Sequence, residues 1–202
     1  MSQRGCFLVL EGIDGSGTTT QAQRLKMFLE AQGHRAHITR QPSDGPIGKM
    51  IRGLLEKKEG QSVNWEMLAL LFAADRLRHW QEEVAPLLAE GVFVISDRYF
   101  LSSMVYQGQD CPEEWVREIN RYAATPDLTI LVAIDAQRAY ERVQSRGGTV
   151  EIYDELEKQK SLAQRYDRLG RQEDVTFIEG DQSVDEVAQH IHQAVQPLLE
   201  SR

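Results

Sequence analysis

The sequence predicts an α/β protein built on a mainly parallel sheet with helices on both faces. Three observations predict it. Short runs of consecutive apolar residues, rich in Val, Ile, Leu and Phe, recur along the chain. Longer helical patterns separate them. A glycine-rich loop stands directly behind the first run, at a strand's carboxyl end, where such sheets gather ligands.

In chain order, "CFLVL" (6–10) reads as a strand covered on both faces, because its hydrophobicity is continuous rather than alternating. Residues 19–32 follow as a helix, with Ala22, Leu25, Phe28 and Leu29 on one stripe and Gly33 as its stop. "AHITR" (36–40) is a weaker strand. Residues 64–90 form one long helical pattern from Asn64, a plausible N-cap, to Gly91, with a kink expected at Pro86. Two further strands are "VFVIS" (92–96) and "LTILVAI" (128–134). Helices at 136–146 and 153–169 flank "RGGTV", and "VTFIE" (175–179) supplies the last strand. The final helix, about 184–199, carries Val187, Ile191 and Val195 at a spacing of four. No internal repeat or linker divides the chain, so one domain over 1–202 is expected.

Composition narrows the function. The 202 residues are 41% hydrophobic and 27% charged, an ordinary globular balance. A net charge of −8 disfavours nucleic-acid binding, which needs many cationic phosphate contacts. Local arginines can still reverse the field inside one cleft. Cys6 and Cys111 form neither a C-x-x-C pair nor a zinc pattern. "MSQRG" runs straight into the first strand, so no signal peptide is expected, and no apolar run approaches a membrane span. A cytoplasmic protein without membrane contact is the expectation. His34, His37, His79, His190 and His192 make no ligand pattern, and Trp65, Trp80 and Trp115 read as core or interface aromatics. "EKKEG" (56–60) reads as a solvated loop.

The loop "EGIDGSGTTTQ" (11–21) nearly completes G-x-x-x-x-G-K-[ST], with Gly12, Gly17 and Thr19 in place. With Gly15 and Ser16 it can curl its backbone N–H groups around a phosphate, and the helix opening at Thr19 and Thr20 adds its positive end. Thr19 can ligate Mg²⁺. The plain alternative is a glycine-rich turn capping a helix, which the strand before and helix after make weak. Thr18 occupies the lysine position. Losing one aimed electrostatic donor typically costs about 2.7–4 kcal/mol of transition-state stabilisation, so another cation is needed.

A second cluster, "VISDRYFLSSMVYQG" (94–108), sets Asp97 at a strand end, where a Mg²⁺-organising carboxylate belongs, beside Arg98, which can fork onto a phosphate. Asp135, at another strand end, is its rival. In "LLFAADRLRHW" (70–80), Phe72 and Arg76 share a helix face and can stack on and hydrogen-bond a nucleobase. A core Phe beside a solvated Arg is the plain alternative.

Together "EGIDGSGTTTQ", "TRQP" (39–42), "FAADR" (72–76), "SDRYFLSSMVYQG" (96–108) and "RGGTVEIYDELEKQ" (146–159) resemble the thymidylate kinase family from residue 5 to about 180. The resemblance implies a P-loop NTPase-type three-layer sandwich with a five-stranded parallel sheet, phosphorylating dTMP with ATP and Mg²⁺ as a homodimer. It implies that Asp14 lies near the sugar 3′-hydroxyl, Phe72 stacks on thymine and Arg76 meets the base edge. Arg40 and Arg98 approach the acceptor phosphate, Ser103 and Gln107 fall where the base is read, and Tyr106 lies against the deoxyribose. A lid corresponds to about 142–152. Two positions depart: Thr18 for the usual lysine and Gln41 for the usual glutamate. Arg146, joined by Arg142, is expected to take over the missing charge; the alternative is that both are solvated helix-end residues. The rival functions are a non-catalytic nucleotide-binding protein and a kinase for another deoxynucleotide such as dUMP.

Overall fold

The first apolar run becomes the central strand, β1 (Phe7–Glu11), with all five residues buried. The computed structural model describes residues 4–56, 63–146 and 155–200. Within them β2 (Ala36–Arg40), β3 (Phe93–Asp97), β4 (Leu128–Ala133) and β5 (Val175–Glu179) complete a sheet of order β2-β3-β1-β4-β5. Every neighbouring pair is parallel, and each strand lies within one residue of its expected bounds. The chain crosses from one side of β1 to the other between β3 and β4, so the loop after β1 stands at the topological switch point.

Successive strand residues point to opposite faces, which divides the core. Leu8 and Leu10 of β1 join Phe93, Ile95, Ile130 and Val132 beneath α1 (Thr18–Ala31) and α9 (Val184–Glu200). The expected stripes supply the other half: Ala22, Leu25 and Leu29 from α1, Val187, Ile191 and Val195 from α9. Phe7, Val9 and Val94 face the opposite layer. That layer holds α2 (Pro46–Leu55), α3 (Trp65–His79), α4 (Ala85–Ala89), α5 (Phe100–Tyr106), α6 (Glu113–Ile119), α7 (Ala136–Arg146) and α8 (Leu156–Gly170). The sheet flanked by helices is the three-layer architecture expected.

The expected helix over 64–90 is not continuous. Asn64 caps α3 as foreseen, its side chain accepting the Met67 N–H at 2.6 Å. Trp80–Val84 then widens into a π turn, in which the Ala85 N–H reaches back five residues to Trp80 O, and α4 follows. Pro86 accounts for this: it has no N–H, and its ring would collide with the carbonyl four residues earlier. Among the described residues no helix is long and apolar enough to cross a membrane. Residues 147–152 of the expected lid lie outside the described residues, as do 57–60 of "EKKEG" and residues 153 and 154 of the helix expected from 153.

Candidate active site

The loop between β1 and α1 is shaped by two glycines with positive φ. Gly17, at 95°, is the α1 N-cap, a left-handed conformation costly to a side chain. Gly15, at 87°, is also hemmed in: an added Cβ would sit 2.3 Å from the Ala139 carbonyl oxygen of α7. That close approach brings α7 to the loop, and Arg142 Nη1 donates to Gly15 O at 3.3 Å. Arg146 ends α7, but its side chain lies outside the described residues. Ile13, Asp14, Gly15, Gly17, Thr18, Thr19, Thr20, Asp97 and Arg98 line one cavity of about 350 Å³. Gly12 and Ser16 belong to the loop wall: Gly12 O accepts from Arg98 at 2.6 Å, and Ser16 is buried.

The two candidate carboxylates separate cleanly. Asp135 caps its own helix, accepting the Gln137 and Arg138 N–H groups at 3.0 and 3.1 Å. Asp97 instead accepts the Thr19 hydroxyl at 2.5 Å, joining the end of β3 to the loop. Its other oxygen, Oδ1, is buried with no protein hydrogen-bond partner, as is Ser16 Oγ. Among the described residues no three His, Cys, Asp or Glu side chains converge, so there is no all-protein metal cage. One carboxylate and one hydroxyl beside a phosphate loop do suit Mg²⁺, a hard cation that commonly takes the rest of its oxygens from water and substrate phosphates.

Arg98 joins this cavity to a second. It occupies the left-handed region at φ 72°, a conformation uncommon for a non-glycine residue and one that clusters at working sites. Its Nη2 donates to Asp14 Oδ1 at 2.6 Å, and its guanidinium lies 5.1 Å from the centre of the Tyr106 ring. Burial alone would lower its pKa, but Tyr106, Asp14, Tyr166 and Asp97 outweigh burial and hold it well above the ordinary value. The Tyr106 hydroxyl donates to Asp14 Oδ2 at 3.1 Å, so both oxygens of Asp14 are oriented.

The second cavity, about 200 Å³, is lined by Asp14, Arg40, Gln41, Arg52, Phe72, Arg76, Arg98, Tyr99, Ser103, Tyr106 and Gln107, among others. All eight residues expected around the monophosphate therefore share one wall. Arg76 is not the solvated arginine of the plain alternative: it is 1% exposed. Its guanidinium donates to Ser103 Oγ at 2.7 Å, Asn120 Oδ1 at 3.1 Å and Tyr99 O at 3.1 Å. Desolvation pulls its pKa to about 10, which leaves it cationic at neutral pH. Arg76 Nε and Gln107 Oε1 are buried without protein partners, one donor and one acceptor beside the cavity. Phe72 is half-buried on the same helix. Arg40 is exposed and paired with Asp44 at 2.7 Å.

His79 is less bland than its sequence context suggests. It is buried behind Gln41, which lines the second cavity, with Nε2 2.7 Å from Thr39 Oγ1 and Nδ1 3.3 Å from Gln41 Nε2. A Gln41 amide donating to Nδ1 requires the neutral ring with its proton on Nε2. Burial, partly offset by Glu83 and Asp75, lowers the His79 pKa and favours that neutral form.

Sequence reasoning missed Glu11, Arg52, Tyr99, Ser102, Asn120 and Tyr166. Glu11 ends β1 fully buried, accepting the Tyr99 and Ser102 N–H groups and the Ser102 and Tyr166 hydroxyls. Desolvation raises its pKa against those hydrogen bonds and the Arg98 charge. The signal available was an acid closing an otherwise apolar strand. Arg52 donates to Pro42 O at 2.8 Å from α2, a helix signalled by Pro46 and the Ile51–Leu55 spacing.

A phosphate loop at the switch point of a parallel sheet, abutting a second, arginine-lined cavity, defines the class: a P-loop nucleoside-monophosphate kinase. The family model for thymidylate kinase matches residues 10–191. The chain is 39% identical over 193 residues to a probable thymidylate kinase of Pyrococcus abyssi, covering 93% of this chain and 94% of that one. It is 40% identical over 199 residues to that of Methanothermobacter thermautotrophicus, covering 95% and 94%. With that of Methanococcus maripaludis it shares 43% over 173 residues, covering 85% and 81%. The chain belongs to the thymidylate kinase family.

Proposed function

We propose that this protein transfers the γ-phosphoryl group of ATP, bound as its Mg²⁺ complex, to dTMP, giving dTDP for dTTP synthesis in the cytoplasm. The chain acts as one kinase domain over 1–202, with 142–152 as its lid. The observation that carries this reading is the sharing of Asp14 and Arg98 between the phosphate-loop cavity and the acceptor cavity. Donor and acceptor phosphates would then meet across one arginine–carboxylate pair.

In this reading Gly12, Asp14, Gly15, Ser16, Gly17, Thr18, Thr19 and Thr20 hold the ATP phosphates. Thr19 and Asp97 hold Mg²⁺, which when bound neutralises charge between the β- and γ-phosphates. Phe72 stacks on thymine, Arg76, Ser103 and Gln107 read its edge, Tyr106 packs on the deoxyribose, and Arg40 and Arg98 take the acceptor phosphate. Asp14 orients Arg98 and the sugar. Catalysis is by positioning and electrostatics, without a covalent intermediate. Arg142, already against Gly15 O, and Arg146 supply the cation that Thr18 cannot.

Thr18 favours a second reading, a nucleotide-binding protein without turnover. The retained Thr19–Asp97 pair and Arg98 weigh against it. A steady-state ADP-release assay with ATP, Mg²⁺ and dTMP separates the two. We expect dTMP-dependent turnover in the wild type and loss of about 10²-fold in Arg142→Ala/Arg146→Ala. Silence in the wild type with activity restored by Thr18→Lys would favour the binding protein. Turnover with dUMP at the same kcat/KM would make the acceptor specificity broader than dTMP.

A further inference from the structure

Arg98 is held at both terminal nitrogens. The phosphate loop holds it through Gly12 O and Asp14, as described. The Nη1 that donates to Gly12 O also lies 3.0 Å from the Tyr166 hydroxyl, with Ser102 Oγ further off at 3.4 Å. Tyr166 belongs to α8, none of whose described residues lines the acceptor cavity, so it meets that cavity through Arg98. Its hydroxyl donates to Glu11 Oε2 at 3.0 Å and lies 2.7 Å from Ser102 Oγ. One small group therefore joins the last residue of β1, the first turn of α5, α8 and Arg98.

We propose that Tyr166 is a positioning residue of the transfer site: its hydroxyl fixes the Arg98 guanidinium at the acceptor phosphate and ties α8 to the base of the phosphate loop. The proposal rests on the reading of Arg98 as a phosphate-binding residue. The geometry explains how an arginine with a left-handed backbone keeps one orientation. Asp14 holds Nη2, while Gly12 O and the Tyr166 oxygen share Nη1, so both terminal nitrogens of the guanidinium are fixed. A hydroxyl can accept from Arg98 while donating to Glu11, so it transmits the position of a buried carboxylate to a cation without competing for its charge. A phenyl ring at 166 would keep the edge-on packing against Tyr106, at 6.2 Å between centres, and lose only this relay.

Tyr166→Phe tests it. We expect KM for dTMP to rise about tenfold, the loss typical of a hydrogen bond to a charged group, with KM for ATP changed less than about twofold. A merely structural role would reduce the active fraction, lowering apparent kcat and leaving both KM values alone. In an Arg98→Lys background the same substitution should add less than about twofold, because Tyr166 acts through Arg98. An impaired Arg98→Lys beside an unaffected Tyr166→Phe would overturn the Tyr166 assignment alone. Equal effects of Tyr166→Phe in both backgrounds would also overturn it. Wild-type kinetics in Arg98→Lys would overturn the reading of Arg98, and this inference with it. Circular dichroism checks the fold. If Tyr166→Phe does not fold, NMR of the wild-type Arg98 side chain decides: separate, exchange-protected Nη signals support the proposal, and a rapidly averaging guanidinium overturns it.

Discussion

Two arginines face the same cavity and differ in what they should cost when removed. Arg76 is fully buried and hydrogen-bonded to Ser103, Asn120 and the Tyr99 carbonyl. Arg76→Ala leaves those three neutral acceptors unsatisfied, and at the lower end of about 1–3 kcal/mol for each buried group left unpaired the loss is about 3–5 kcal/mol. For a chain of this size that is a Tm lower by about 6–20 °C, measurable by calorimetry. Arg40 is 59% exposed and its pair with Asp44 is a surface one. Such pairs contribute about 0–1 kcal/mol, so Arg40→Ala should leave Tm within about 4 °C while raising KM for dTMP. A large Tm loss in Arg40→Ala, or none in Arg76→Ala, would contradict this division. Asp97→Asn belongs at the same scale: it weakens the oxygen set shared with Thr19, and titration of Mg²⁺ in the kinase assay should show a higher half-saturating concentration.

Among elements, β1, β3 and β4 were legible because each is a short continuous apolar run covered on both faces, whereas the edge strand β2, with His37, Thr39 and Arg40 in it and no fully buried residue, gave the weaker signal. The phosphate loop was legible because its glycines are required by backbone geometry, at Gly15 and Gly17 in particular. The break in the long helix was less so. Pro86 marks the disturbance, but the π turn falls before it, at Trp80–Val84, since the ring conflicts with the preceding turn. The Glu11–Ser102–Tyr166 contacts had no sequence signal beyond the acid that closes β1: they join residues up to 155 positions apart, and only the packing of α8 on α5 brings them together. The buried state of Arg76 was equally hidden, because its partners Ser103 and Asn120 come from later segments. Met67, Leu70 and Leu77 are exposed on α3, at 43%, 50% and 42%, although the opposite face is core. We expect this stripe to be the homodimer contact, so Leu70→Glu/Leu77→Glu should sediment as a monomer in analytical ultracentrifugation where the wild type sediments as a dimer. A wild type that is monomeric at micromolar concentration would remove the expectation.

For the whole molecule, two buried titratable groups bias stability in opposite directions with pH. The Glu11 pKa is raised, so its contribution is complete below the unfolded value near 4.5 and is lost as pH rises through the folded value. The His79 pKa is lowered, so between its folded value and the unfolded value near 6.5 the unfolded chain binds more protons. Its contribution is complete above 6.5 and is lost as pH falls through that window. Protonating His79 would also oppose Gln41, whose amide donates to Nδ1, and place a charge beside Arg76 in the wall of the acceptor cavity. The His79 contribution to stability and acceptor binding should therefore weaken together on mild acidification. One proton of difference limits the slope to about 1.4 kcal/mol per pH unit, or about 3–5 °C of Tm for a chain of this length. Thermal unfolding of His79→Asn, set against the wild type from pH 7 to pH 5, isolates the term. The variant should have the shallower acid slope across that range, and parallel slopes would mean that His79 carries no part of it. Gln41→Glu should act the other way. A carboxylate facing Nδ1 would raise the His79 pKa, move the titration seen by NMR to higher pH, and convert an amide–imidazole contact into a charged pair.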